Sequence, residues 1–233
     1  MDGLTRSNDL TFDLAQMPLR DVNQFLHHNV ESGQKITILN PDGAHNIAVG
    51  LDAPIDLDIA GHAGYYAAGM NKLANVTIAG NVGPGVAENM MSGRVHVRGF
   101  ASVAAGASAH SGLLVIDGDA SLRCGISLKG ADIVVGGNVG SFSGFMAQAG
   151  RMVVCGNAGD ALGDSLYEAI IYVRGDIKSL GADAQLQPMT DTDYSTLEEL
   201  LTKAELTYSP QEFKRIASAK QLYHWNANAH QEY

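Results

Sequence analysis

The sequence predicts a parallel β-solenoid, and three observations carry the prediction. Glycines recur at a constant spacing of nineteen residues, at Gly61, Gly80, Gly99, Gly118, Gly137, Gly156 and Gly175. A fixed repeat of this length marks a stacked array of units. Two residues before each glycine sit Ile59, Ile78, Val97, Ile116, Val135, Val154 and Val173, and four before sit Leu57, Val76, Val95, Leu114, Ile133, Met152 and Ile171. That period of two, with β-branched residues nearest the glycine, describes one short strand per unit. Seven residues after each glycine the side chain is always tiny: Ala68, Ala87, Gly106, Gly125, Gly144, Gly163 and Ala182. Units this short bury no core alone and must stack on their neighbours. At a strand spacing of about 4.8 Å, seven coils make a rod about 34 Å long. The ruler glycines are expected as corner residues, free to take positive φ and to let backbones approach closely.

Taken in order, the chain divides into an N-terminal extension (1–34), the repeat (35–185) and a C-terminal segment (186–233). Residues 1–17 are mixed in character and expected to be mobile. From Pro18 to Asn29, Leu19, Val22, Phe25 and Leu26 fall on one helical face, and Pro18 suits a first helical turn. This short amphipathic helix has the first coil to cover. Residues 35–50 read as a degenerate first coil, with Ile36 and Ile38 in one strand, a turn at Asn40-Pro41-Asp42-Gly43 and Ile47 with Val49 in a second strand.

After Asp183 the register ends. Residues 192–206 carry Leu197, Leu200 and Leu201 at helical spacing. Ser209-Pro210-Gln211-Glu212 reads as a cap opening a second helix to about Leu222, with Phe213, Ile216 and Ala217 apolar. Exposed solenoid ends need such caps. The two helices are expected to cap the last coil or fold back along the rod, with the Tyr223-His224-Trp225 tail reaching a partner subunit as the alternative.

Composition narrows the function classes. The chain of 233 residues carries a formal charge of −10 and has no basic run, which points away from nucleic acid and anionic membranes. Two cysteines, Cys124 and Cys155, and no leader-like start point to a reducing cytoplasm. The 27 glycines are periodic and interleaved with Val, Ile and Ala, so they speak for the repeat and against disorder.

Chemistry-bearing motifs are sparse. Gly80-Asn81-Val82-Gly83-Pro84-Gly85 imitates a dinucleotide loop, but no helix is expected after it. No metal-ligand spacing is present, and no histidine stands near a nucleophile and a carboxylate. Catalytic, cofactor-binding and metal-ligating residues are therefore all expected to be absent. Two surface features stand out. Three residues before the ruler glycine the later coils place Val115, Val134, Val153 and Tyr172, an outward apolar ladder that calls for a cover, either a terminal helix or a partner. Near the first regular coils, Tyr65, Tyr66, Met70, Asn71 and Lys72 meet Glu88, Asn89, Met90 and Met91, a cluster suited to protein contacts or to irregular filling of the interior. Polar corners at His62, Asn71, Glu88, Asn89 and Arg123 are candidates for an interface or a passage.

The repeated G-x-x-G-x-x-x-G pattern resembles the GXGXG domain at the C-terminal end of the glutamate synthase large subunit. The same domain is shared with the β-helix subunits of formylmethanofuran dehydrogenase and of the formyltransferase/hydrolase complex. The stretches Gly43–Gly50, Gly61–Lys72 and Val86–Gly93 resemble the small glutamate-synthase-like subunits of N-methylglutamate synthase. The resemblance implies a right-handed helix, in line with the usual hand of parallel crossovers. It also implies a hetero-oligomer in which this chain is a non-catalytic spacer between an amidotransferase-like subunit and an FMN-containing synthase-like subunit. FMN, with an iron–sulfur cluster as a further candidate, is expected in a partner and not here. The alternatives are a glutamate-synthase-type amination complex, a formyl-transfer complex, or a free-standing binding solenoid.

Overall fold

The computed structural model describes residues 9–220, so the Tyr223–Trp225 tail lies outside the described residues. One sheet of eleven strands forms the molecule's spine. It comprises β1 (Asp9–Asp13), β2 (Lys35–Leu39), β3 (Asp56–Ala60), β4 (Asn75–Ile78), β5 (Arg94–Val97), β6 (Leu113–Ile116), β7 (Lys129–Val135), β8 (Ala149–Val154), β9 (Ile170–Val173), β10 (Ala184–Gln187) and β11 (Lys214–Ser218). Strands β1 to β9 follow one another in parallel. Val76 pairs with Val95, Val95 with Leu114 and Leu114 with Ile133, so the repeat length of the sequence is the register of the sheet. A second column of single bridges joins Ala63, Val82, Ala101, Ala120, Val139, Ala158 and Ile177, the small residues two places after the ruler. The axis between the two columns is filled by fully buried Leu57, Val76, Leu114, Ile133, Met152 and Ile171.

The third side of each coil is a corner of left-handed residues rather than a strand. In the regular coils the residues five, seven and nine places after the ruler have positive φ: Tyr66, Ala68 and Met70 in one coil, Arg123, Gly125 and Ser127 in a later one. Their N–H groups alternate in direction. Tyr66 and Met70 donate forward to the carbonyls of Pro84 and Glu88 at 2.8 Å, while Ala68 donates back to Ile47 at 3.0 Å. Left-handed backbone at every second residue keeps the corner bonded to the coils on both sides. It also explains the tiny residue at the seventh place, which faces the core: a Cβ on Gly106 would meet Ile133 Cδ1 at 2.6 Å.

The ruler glycines do something else. From Gly80 to Gly175 none has positive φ, so close approach alone, and not a left-handed corner, requires them. A Cβ on Gly118 would stand 2.9 Å from the Gly99 carbonyl oxygen, and one on Gly137 would stand 2.9 Å from the carbonyl carbon of Gly118. Beside this glycine column runs a side-chain ladder that the sequence reading missed. Asn81 Oδ1 accepts from Phe100 N–H, Asp119 Oδ1 from Asn138, Asn138 Oδ1 from Asn157 and Asn157 Oδ1 from Asp176, at 2.7–3.0 Å.

Both ends depart from expectation. Residues 9–13 of the segment expected to be mobile form β1, a full extra strand in register with β2. Ile47 and Val49 do not make a strand, because Asn46, Ala48 and Gly50 are left-handed and belong to the first corner. That corner has no coil before it. Helix α1 (Leu19–His28) supplies the missing partners: Ala48 N–H donates to Asn23 Oδ1 at 3.0 Å, Asn23 Nδ2 to Asn46 O at 2.9 Å and His27 Nε2 to Val49 O at 2.7 Å. The apolar face of α1, Val22 and Leu26, is buried in the core.

At the far end the second expected helix is a single 3₁₀ turn, Pro210–Glu212, followed by β11. Strand β11 inserts antiparallel between β9 and β10, which ends the parallel stacking and seats Ile216 in the core. Phe213, Ile216 and Ala217 satisfy helical spacing, but the open edge of β9 is the stronger demand.

Substituting Gly137→Ala should lower stability by about 2 kcal/mol or more, since backbone must move to admit the methyl group. Ser127→Gly, which relieves a left-handed Ser with no side-chain bond, should cost nothing and add up to about 1 kcal/mol. Urea midpoints of the two variants against the parent check both.

Candidate functional site

The outward ladder lies under helix α2 (Asp191–Lys203). Val115, Val134, Val153 and Tyr172 are buried in a second core with Leu197, Leu200, Leu201 and Phe213. The cover is therefore a C-terminal helix of the same chain, folded back along the rod, and these four residues present nothing to a partner.

Polar bonds pin this helix at both ends. At its start Thr190 is the N-cap, and Asp193 accepts from Thr190 N–H at 2.8 Å and Thr190 Oγ1 at 2.6 Å. The other carboxylate oxygen accepts from Tyr172 Oη at 2.6 Å and Arg215 Nε at 3.2 Å. Burial by itself raises the Asp193 carboxyl. The bonds from Thr190 and Tyr172 and the charge of Arg215 outweigh it and hold the group below the ordinary carboxylate value. At the helix end, Arg94 donates to the Lys203 carbonyl and to His96 Nδ1. With Nδ1 accepting from Arg94, His96 Nε2 donates to Asp117 at 2.7 Å.

The cysteines are structural. Cys124 sits in the solenoid core and Cys155 under α2, and burial pushes both thiols up to about 12. Asn71 is interior: its Nδ2 donates to the carbonyls of Ala74 and Ser92, and its Oδ1 is buried without a partner. His62 faces outward and accepts Asn81 N–H on Nδ1. Asn89 and Arg123 are left-handed corner residues, Arg123 exposed.

What the fold does bring together is Tyr65, Tyr66 and Glu88. They line a concavity of about 390 Å³ with Pro84 and Ala104, and with His45, which the sequence reading did not place there. His45 Nδ1 accepts Tyr65 N–H at 3.1 Å, and the two rings stack with centroids 4.3 Å apart. The Glu88 carboxylate lies over Gly85 beside the Tyr66 ring. Among the described residues, no group of three or more His, Cys, Asp and Glu side chains is arranged to hold a metal ion, and no helix is long and apolar enough to cross a membrane.

No protein-family model matches the chain. Protein GlxC of Rhizobium meliloti (strain 1021) is 54% identical over 218 residues, which span 92% of this chain and 95% of GlxC. The chain belongs to the GlxC family. The identity therefore extends over nearly the whole GlxC-like chain, terminal segments included, and not only over the glycine register.

Asp193→Asn should cost about 2–3 kcal/mol at neutral pH, by weakening bonds to a buried charge. Because the folded-state value is depressed, this contribution is present above the unfolded value near 3.9 and is lost as pH falls through the folded one. The acid limb of a stability–pH curve should flatten in the variant. Thiol labelling with a disulfide reagent at pH 8 should leave both cysteines of the native parent protected, and in Asp193→Asn Cys155 should react well before Cys124.

Proposed function

We propose that this chain is the β-solenoid subunit of a glutamate-synthase-like enzyme complex and acts there as a rigid spacer. The observation that carries the reading is what the reactive side chains are used for. Both cysteines are buried, His96 is buried and bonded to Arg94 and Asp117, and His45 and His62 accept backbone N–H groups. Against that stands a rod whose coils are bonded to their neighbours through strand and corner alike, a body suited to fixing the distance between two partners.

The glycine-rich Gly80–Gly85 stretch is not a phosphate cradle. The Gly80–Gly85 stretch runs into a corner whose N–H groups are already spent between coils, Gly83 to Ala63 at 3.0 Å and Gly85 to Val103 at 2.9 Å. No amide is left to cradle a phosphate there, so in this reading FMN belongs to a synthase-like partner. An amidotransferase-like subunit occupies the other side. The sequence resemblance directs the finer reading to N-methylglutamate synthase, which converts methylamine and L-glutamate to N-methyl-L-glutamate and ammonia. The axis of the solenoid is filled, so any passage for a small amine between the partners runs over the outer corners, near His62, Glu88 and Asn89.

Affinity isolation of the native chain from its host tests the reading. Two co-purifying subunits, a flavin spectrum that bleaches on reduction and methylamine-dependent turnover are expected. A flavin-free amidohydrolase partner would transfer the chain to a formyl-handling complex, and a lone chain would remove the spacer function.

A further inference from the structure

The concavity at the first regular coils combines three properties that together select a ligand class. Its walls are aromatic: Tyr65, held against His45 by ring stacking, and Tyr66. Its one formal charge is the Glu88 carboxylate, which makes no hydrogen bond or ion pair among the described residues although it is drawn in from open solvent. Its floor is cut away, since Gly85 leaves the space that the carboxylate occupies: a Cβ there would meet Glu88 Oε2 at 2.8 Å. No lysine or arginine lines the site to neutralise the carboxylate.

Aromatic faces attract cations through the ring quadrupole, and a carboxylate partly withdrawn from water attracts them more strongly than a fully solvated one. The volume suits a small organic group, and the chain's net charge of −10 draws cations toward it. His45 Nδ1 is already engaged by Tyr65 N–H, which holds the ring against Tyr65. We propose that Tyr65, Tyr66, His45 and Glu88 form a binding site for an organic cation, an alkylammonium or guanidinium group. The group is carried either by a free amine or by a Lys or Arg side chain of a partner protein. The site is complete in this chain and does not depend on the spacer reading.

The test is a titration of the purified full chain, followed by the tyrosine ring resonances in NMR. The probes are n-butylammonium, n-butylguanidinium and, as the uncharged control, n-butanol. Saturable shifts of Tyr65 and Tyr66 are expected with the cations, at least tenfold tighter than with butanol. Glu88→Gln, which preserves shape, and Tyr65→Leu should each weaken the cations at least fivefold while circular dichroism and Tm stay unchanged. An acetylated, amidated Ala-Lys-Ala peptide binding tenfold tighter than butylammonium would assign the site to a partner's side chain. Equal or weaker binding would assign it to a free amine. Absence of saturable shifts with either cation, equal response to butanol, or unaltered affinity in Glu88→Gln would overturn the proposal. Because the readout needs only this chain, it is independent of whether a flavoprotein co-purifies.

Discussion

Hydrogen bonds between coils run through the corners as well as the strands, and most of the sequence answers to that. A parallel sheet bonds its strands without effort, but a chain turning a corner ordinarily points its N–H groups wherever the turn dictates. Here Gly85, Ala104 and Arg123 donate forward to Val103, Leu122 and Ser141, and Ala87, Gly106 and Gly125 donate back to Ala67, Val86 and Ala105. Left-handed backbone at alternate residues is what permits both directions. For a residue with a Cβ that conformation costs about 1–2 kcal/mol, and the bonds to both neighbouring coils offset it. A left-handed residue that also faces the core must therefore be small, Ala or Gly, and glycine itself is required where two backbones touch.

The same logic governs the ends. A corner with no preceding coil leaves donors and acceptors that water or side chains must satisfy, and Asn23 does so with both halves of its amide. The last parallel strand leaves an edge, and β11 closes it by running the other way. Helix α2 is a different device. It adds a second core outside the solenoid, over the coils whose outward residues are apolar, and leaves bare those whose outward residues are Asp58 and Thr77. Its registration depends on a buried carboxylate, Asp193, that joins the helix start to a solenoid strand through Tyr172 and to β11 through Arg215.

Much of this was legible in the sequence because the constraint repeats. The strand residues, the tiny seventh position and the outward ladder each recur at one spacing, so every coil reports the same physics. The cover of the ladder was legible too, since four apolar side chains in an outward row demand one. What failed was local. Phe213, Ile216 and Ala217 after a Ser-Pro cap satisfy helical spacing as well as they satisfy a short strand, and only the open edge of β9 decides between them. Residues 9–13 alternate over too few positions to show a period. His45 was invisible as a site residue because the first coil is irregular: the residue lies twenty positions before Tyr65, one off the repeat.

That irregularity bears on function. Regular coils present the same side of themselves at every level, so a uniform stack yields flat faces and shallow grooves. At the depression beside Glu88 the repeat is broken. The break lies where the displaced first corner brings His45 against Tyr65, and where the next coil replaces a bulky corner residue with Gly85. In the following coil the corner is lined by Ala104, and bulk returns with Arg123 and Phe142. The site at Glu88 therefore stands at a break in the repeat, on corners that remain held coil to coil. If the chain is the spacer proposed above, its uniform coils would fix distances and this break in uniformity would be where it offers recognition.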